Sequence, residues 1–513
     1  MKKLIYIIAS GLIILSAGCK KFLGEKPLTQ GVLNEFFRTK FECDAAMAGM
    51  YGGFQQVMVG DAQYKDRYHI WGEFRSDNFD RFKSYSGNVH NEIALNNLTA
   101  QNEFSDWSGL YKVIGRANIN IKHIPAAAQY DIAVTTDYIN ANLAQCYAMR
   151  AICYFYVVRV WGDAPIRTEP YEELSEDPTK DRESKEKVIN EIIIPDLQKA
   201  YDLTVKAQKP TVWYLGEGAI CAAMADVYMW KKDYPNAMIW MQKLFAAKNP
   251  ASGAAYTGTS GNFLQPKDTW KTIFTQPAVS IEVIWSINWE YNKNGCACMM
   301  ISWSSNNKPI VVDLDTWNRW WTPLTPPADM RVKQTMDVYM TNRDRFIKWY
   351  PTATNPTAAD AWPNTNNTVP VFLVMYRLSD MYLLYAEALN KTGDMNKALT
   401  YLNYIRVRAN LAAYTTTSAE VSNGTTLDPV KLENAILQER QWELFGEGKR
   451  WFDLVRTDHV LQVMDPILKR RQFDNGSTVI NGFGGDLRRV YWPLNRAVLN
   501  ANLKLNQNEP YTD

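Results

Sequence analysis

The sequence predicts a mainly α-helical protein: a scaffold of tetratricopeptide-like helical hairpins with an irregular, loop-rich lobe that carries short strands. Three observations predict it. Apolar residues recur at helical spacing over most of the chain, as in Leu378, Met381, Tyr382, Tyr385 and Leu389. Two helix–break–helix units match at an offset of 161 residues, with Ala386-Glu387 falling on Ala225-Asp226, Asp394 on Asp233, Ala398 on Ala237, Leu402 on Met241 and Ile405 on Leu244. Between them, residues 250–372 are rich in Gly, Pro, Asn and Thr and hold nine of the 18 tryptophans. Loops bury indoles less easily than helices do, so this stretch reads as a separate lobe.

From the start of the chain, Lys2 and Lys3 precede an apolar run from Leu4 to Leu15 and then Ser16-Ala17-Gly18-Cys19. The run is too short to span a bilayer, and small residues follow it, so residues 1–18 read as a secretory signal. A Cys directly after Ala-Gly resembles a bacterial lipobox, which makes Cys19 the expected lipidation site. Removing residues 1–18 takes away two lysines and with them the +2 net charge. Attachment must then come from acyl chains, of which two or more hold stably. Residues 19–34, with Pro27 and Gly31, read as a lipidated tether, and no later segment is apolar for long enough to cross a membrane.

Helices follow. Trp107, Tyr111, Ile114, Asn118 and Ile121 keep helical spacing, and 138–161 predicts a second helix that stops at Gly162 with Pro165 behind it. The first hairpin runs 214–230, breaks over Lys231 to Pro235 and continues to about 247. The second runs 376–390, breaks at Lys391-Thr392-Gly393-Asp394 and continues to about 410. Small residues at Ala225, Ala237, Ala386 and Ala398 let paired helices approach, as in tetratricopeptide hairpins. Within the lobe, Val279 to Trp289 and Ile310 to Leu314 read as strands.

Charge and rare residues exclude other classes. Lys+Arg 56 against Asp+Glu 54 leaves no basic excess for nucleic acid. The four histidines, His69, His90, His123 and His459, share no zinc spacing. Cys146 and Cys153, about 10.5 Å apart along a helix, and Cys296 and Cys298, about 6.7 Å apart on a strand, read as buried thiols. No metal or cofactor is expected. Asp- and Asn-bearing loops offer oxygen ligands to calcium, but without EF-hand spacing.

Tyr376-Arg377-Leu378-Ser379-Asp380-Met381-Tyr382 through Asn390, then Gly393-Asp394 and Leu402-Asn403-Tyr404-Ile405-Arg406, closely resemble the RagB/SusD family. So do Glu439-Arg440-Gln441-Trp442-Glu443-Leu444, Arg450-Trp451-Phe452-Asp453-Leu454, Tyr491-Trp492-Pro493-Leu494 and the ending Gln507-Asn508-Glu509-Pro510-Tyr511. Trp161-Gly162-Asp163-Ala164-Pro165 resembles its Gly-Asp-x-Pro helix exit. The resemblance implies a single SusD-like domain over 35–513, with scaffold helices over about 35–249 and 373–513 and a ligand lobe over about 250–372. It also implies an outer-membrane lipoprotein, facing the cell exterior, that binds oligosaccharide without catalysis. Its implied partner is a SusC-like TonB-dependent transporter. Some members of the family take peptides or other nutrients.

Sugars present apolar C–H faces and many hydroxyls, so a site wants aromatic platforms beside Asn, Asp, Arg and Gln. Trp320, Trp321, Trp303 and Tyr291 are the candidate platform, and each indole alternatively pins a loop onto the helices. Alternation places Trp285 and Trp289 on one strand face, with Asn288 and Glu290 on the other. A second candidate is Trp71 with Arg75, Asp77 and Asn78, from an early loop near which the resemblance implies ligand contact; Arg75–Asp77 alternatively forms a structural ion pair. Glu439, Arg440, Glu443, Glu447, Arg450, Asp453 and Arg456 read as a partly buried ion network rather than acid–base machinery. Two other functions remain open: an exported helical glycoside hydrolase or lyase, and a structural lid of the transporter. A hydrolase needs two facing carboxylates, and no Asp or Glu stands in a recognisable catalytic motif.

Overall fold

The computed structural model describes residues 36–60, 65–83, 87–172, 176–295, 309–321, 328–336, 343, 346–349 and 370–512. Cys19, Cys296, Cys298 and Trp303 lie outside them.

The first principal helix, α1 (Lys40–Val59), starts at a capping box in which the Thr39 hydroxyl accepts from the Glu42 amide and Glu42 returns the bond. Strand β1 (Phe79–Arg81) follows a wide-turned helical segment at Ile70–Phe74. Helix α2 (Ser108–His123) leads to α3 (Thr136–Trp161), whose residues from Cys146 to Trp161 are all buried. The helix α3 ends at Gly162 with φ 82°, where a side chain would be strained. α1 packs on α2, α2 on α3, and α3 on α4 (Ile194–Leu203). Cys146 and Cys153 are free, buried thiols within α3.

The two hairpins are α5 (Glu217–Trp230) with α6 (Tyr234–Ala246), and, after the lobe, a second pair built the same way. The lobe brings strand β2 (Val283–Trp289), strand β3 (Ile310–Val312), the short helices α7 (Leu314–Trp320) and α8 (Met330–Thr335), and strand β4 (Val371–Arg377). The second hairpin is α9 (Leu378–Lys391) with α10 (Met395–Arg408). Its turn repeats the first. Lys232 and Gly393 both take positive φ, and the next residue, Asp233 or Asp394, caps the second helix by accepting from the amide three residues on. The offset of 161 therefore marks a repeated turn geometry. Helices α11 (Pro429–Glu443), α12 (Arg450–Arg456), α13 (Val460–Asp474) and α14 (Arg496–Ala501) complete the frame.

Strands pair across the chain. β1 runs antiparallel to β3, with Asp80 opposite Val311, and β2 antiparallel to β4, with Ile287 opposite Leu373. β4 leads directly into α9. It spans the expected boundary at 372/373, so the lobe is joined to the scaffold by a strand pair. Trp285 and Trp289 are both buried, and Trp285 stacks on Phe54 of α1 at 5.7 Å. Among the described residues no helix is long and apolar enough to cross a membrane, and no cluster of three His, Cys, Asp or Glu could hold a metal ion.

Candidate functional site

The early candidate residues belong to the frame. Trp71 is fully buried, donates from Nε1 to the Phe104 carbonyl at 3.0 Å and meets Trp161 edge to face at 5.2 Å. Arg75 donates to Asn96 Oδ1 at 2.7 Å and to the carbonyls of Arg489 and Val490, over the Trp451 ring at 4.4 Å. Asp77 accepts a two-pronged bond from Arg450, 2.8 and 3.0 Å, and not an ion pair from Arg75. Asn78 donates to Glu73 at 2.9 Å and accepts from Gln441 at 2.8 Å. The physical reason is close packing: a Cβ on Gly72 would come within 2.0 Å of the Gly448 carbonyl oxygen, so this segment lies directly against the loop before α12. The structure thus places Trp71, Arg75, Asp77 and Asn78, expected as ligand contacts, in the interior as supports of the frame.

Trp321 is also internal, stacked on Trp317 at 5.6 Å and edge-on to Phe445 at 4.9 Å. Tyr291 is 39% exposed at the head of a single helical turn and is not among the residues that line the cleft described next.

Trp320 does reach a cleft. It ends α7, donates from Nε1 to Asp329 at 3.1 Å and stacks on Trp442 of α11 at 4.6 Å with planes 22° apart. The cleft, about 480 Å³, is lined by these two indoles, Tyr414, Arg406, Gln438 and Asn434, with Arg319 and Glu420 among its exposed members. Asn434, Gln438 and Trp442 follow at i, i+4 and i+8 on α11, one helical face. Arg406 of α10 lies over the Tyr414 ring at 3.6 Å and pairs with Glu439 at 3.3 Å. Burial raises the Glu439 carboxyl, against the opposing charge of Arg331 at 2.7 Å. Asp329, at the cleft's edge, is held by Arg331 at 2.8 Å. Each of these buried acids thus has a guanidinium partner, and the groups open to a ligand are ring surfaces, carboxamides and a phenol, with Arg319 and Glu420 at the exposed rim. That is the donor set and size of a small-ligand cleft. The sequence reading found Trp320 and passed over Trp442, Tyr414 and Gln438; the carboxamide–carboxamide–indole spacing on one face of α11 was the available signal.

Behind the cleft lies the ion network. Arg377 meets Glu282 and Glu447 at 2.7 Å and Glu443 at 2.5 Å, Arg331 meets Glu443 at 3.0 Å, and Lys348 meets Glu447 at 2.5 Å, all nearly inaccessible to solvent. Glu443, pushed up by burial, is nevertheless held well below the usual carboxylate range by Arg408, Arg377 and Arg331. These are framework charges.

A helical-hairpin frame with an aromatic, carboxamide-rimmed cleft places the fold in the tetratricopeptide-like class. The profile of the SusD family matches residues 312–511, and one described as "starch-binding associating with outer membrane" matches residues 21–229. SusD-like protein P38 of Formosa agariphila is 28% identical over the full length of both chains. A SusD superfamily protein from Bacteroides vulgatus superposes with a TM-score of 0.72 at 15% identity, covering 92% of this chain and 99% of its own. A laminarin-binding SusD-like protein superposes with a TM-score of 0.70 at 19% identity, covering 92% of this chain and all of its own. The chain belongs to the SusD-like family, whose members associate with the outer membrane.

Proposed function

We propose that this protein captures a neutral oligosaccharide in the Trp320–Trp442–Tyr414 cleft and releases it intact to a SusC-like TonB-dependent transporter, as a lipoprotein held at the outer face of the outer membrane through Cys19. The observation that carries this reading is the cleft's make-up. Indole and phenol surfaces stand beside Gln438 and Asn434, and the buried acids at its wall are matched by Arg331 and Arg406. A neutral sugar finds hydrogen-bond partners there without displacing an ion pair.

The same matching supports binding rather than hydrolysis. A glycosidase holds two carboxyl groups across the scissile bond, one of them ready to give up a proton; Asp329 and Glu439 are engaged by guanidinium groups instead. The laminarin-binding neighbour makes a β-glucan the first ligand to try. Titration calorimetry against laminarin oligosaccharides and a panel of neutral glycans tests the reading. Binding in the micromolar to millimolar range, weakened roughly tenfold in Trp442→Ala, supports it. New reducing ends appearing during incubation would show an enzyme, and no binding to any glycan would leave a transporter lid. Cys19→Ala should release the protein from the outer-membrane fraction; retention would overturn the anchor.

A further inference from the structure

A second cavity, about 380 Å³, lies between the Leu95–Asn97 turn and the loop after α13. The loop is closed at its base by Gln472, which donates to the Gly482 carbonyl at 3.0 Å and accepts from the Gly482 amide at 2.9 Å. Gly482 has φ 63°, and a Cβ there would come within 2.3 Å of Asp465 Oδ1, so the closure requires glycine. Around the cavity stand Asn96, Asn97, Ser477, Thr478, Asn481 and Arg489. These are polar, Leu95, Val479 and Phe483 add apolar surface, and among the described residues no acid lines the cavity.

Among the described residues Arg489 is the one charged side chain in that lining. Arg489 lies at 5.9 Å from the Tyr511 ring and forms no ion pair among the described residues. The nearby carboxylate of Asp486 feels the Arg489 charge but accepts its hydrogen bonds from Arg488, at 2.9 and 2.8 Å, and does not line the cavity. Behind the wall, Arg75 gives its hydrogen bonds to two carbonyls and to Asn96 Oδ1, again with no carboxylate among them. Burial, with Tyr511 opposing it and the Arg489 charge adding to it, draws the Arg75 guanidinium down to about 10. Because Asn96 Oδ1 accepts from Arg75, its amide N–H groups remain to donate elsewhere. One guanidinium thus lines the cavity with no carboxylate in the lining, and a second supports the wall from behind, whereas the buried acids of the first cleft are all paired.

We infer that this cavity is a second saccharide site, specific for a sugar residue bearing an oxyanion, a carboxylate or a sulfate, with Arg489 as its counter-charge and the Asn97, Thr478 and Asn481 side chains meeting its hydroxyls. The site is independent of the aromatic cleft. It lies near the start of α7, where Arg470 and Arg471 of α13 bind Asp313 at 2.7 and 2.9 Å, while the cleft opens at the helix's other end.

Saturation-transfer NMR titrations of the purified protein with glucose, glucuronate, glucose 6-sulfate and inorganic sulfate test this. At least one acidic sugar should bind tenfold or more tightly than glucose, more weakly as salt is raised, and the two acidic probes separate carboxylate from sulfate. Arg489→Gln should abolish the preference, and Asn481→Ala with Thr478→Ala should weaken both acidic sugars without touching Arg75. Binding of neutral glycan at the first cleft should be unchanged in both variants, which also shows that they fold. Equal affinity for glucose and the acidic sugars, or no effect of Arg489→Gln, would overturn the assignment. Inorganic sulfate binding as tightly as glucose 6-sulfate would overturn the sugar part of it.

Discussion

Asp77 and Arg450, 373 residues apart in the chain, form a two-pronged ion pair with both side chains almost wholly buried. Gln441 adds a third bond to the same carboxylate at 2.9 Å. The pair ties the turn before β1 to α12, so an early segment that the sequence offered as a ligand loop is part of the interior.

Removing one partner of such a pair strands the other. Asp77→Asn should therefore lower stability by about 3–5 kcal/mol, measured by urea unfolding, while folded protein keeps its glycan affinity. The pH profile separates this pair from generic damage. Burial would raise the Asp77 carboxyl, but the Arg450 charge overcomes that and holds it below its ordinary value. Its contribution is thus present above the unfolded value and lost as pH falls through the folded one. Wild type should lose stability faster below about pH 4 than Asp77→Asn does; parallel acid flanks would refute the assignment.

Glu73, four residues before Asp77, behaves oppositely. Complete burial pushes its carboxyl up to about 8, with Asn78 pulling the other way. A raised carboxyl favours the protonated folded form, so its stabilising effect is full below the unfolded value near 4.5 and fades as pH rises toward 8. Thermal unfolding should show wild type weakening as pH rises from about 4.5 to about 8 and levelling off above that. Glu73→Gln, which cannot ionise, should flatten that slope and be the more stable protein at pH 9.

The buried network predicts a contrast in size. Glu443 is shared by Arg331, Arg377 and Arg408. Glu443→Gln should cost about 3–5 kcal/mol by leaving buried guanidinium charge uncompensated. The exposed pair Lys504–Asp177, open to solvent on both sides, should behave differently: Lys504→Ala should leave the urea midpoint unmoved. Equal effects would mean that the network is wetter than its burial indicates.

Local signals made the frame legible. The stripe on α9, the breaks between the paired helices and the stop at Gly162 are each set within a few residues, and each appears where the pattern placed it. The charged cluster on α11 and α12 was legible for the same reason, because opposite charges three and four apart flanked by aromatics leave little choice. The sites were less legible because exposure is decided by what packs on top. Trp320 and Trp321 are adjacent in sequence, yet one edges a cleft and the other is enclosed by Trp317 and Phe445. Arg75 and Asp77 look like a pair two residues apart, but their partners come from residues 489–490 and 450. Nothing within the early segment names those partners.

The cleft itself gives the sharpest test, because Trp442 and Trp320 have separable roles. Trp320 is 6% exposed and is held by Asp329 and by the ring stacked upon it, so its chief task is to set the position of Trp442. Trp442 is the less buried of the two and stands on the same helical face as Gln438 and Asn434. An aromatic contact contributes about 0.5–1.5 kcal/mol beyond its buried area, so Trp442→Ala should weaken neutral glycan by roughly tenfold with little loss of stability. Trp442→Phe should recover part of it, since a smaller ring still offers a flat face. Trp320→Ala should lower both stability and affinity, because it opens a void under Trp442 and leaves Asp329 without one donor. Calorimetry paired with urea unfolding on the three variants reads both quantities. If Trp442→Ala binds as wild type does while Tyr291→Ala loses affinity, the ligand sits at the lobe's exposed tyrosine and not between α7, α10 and α11.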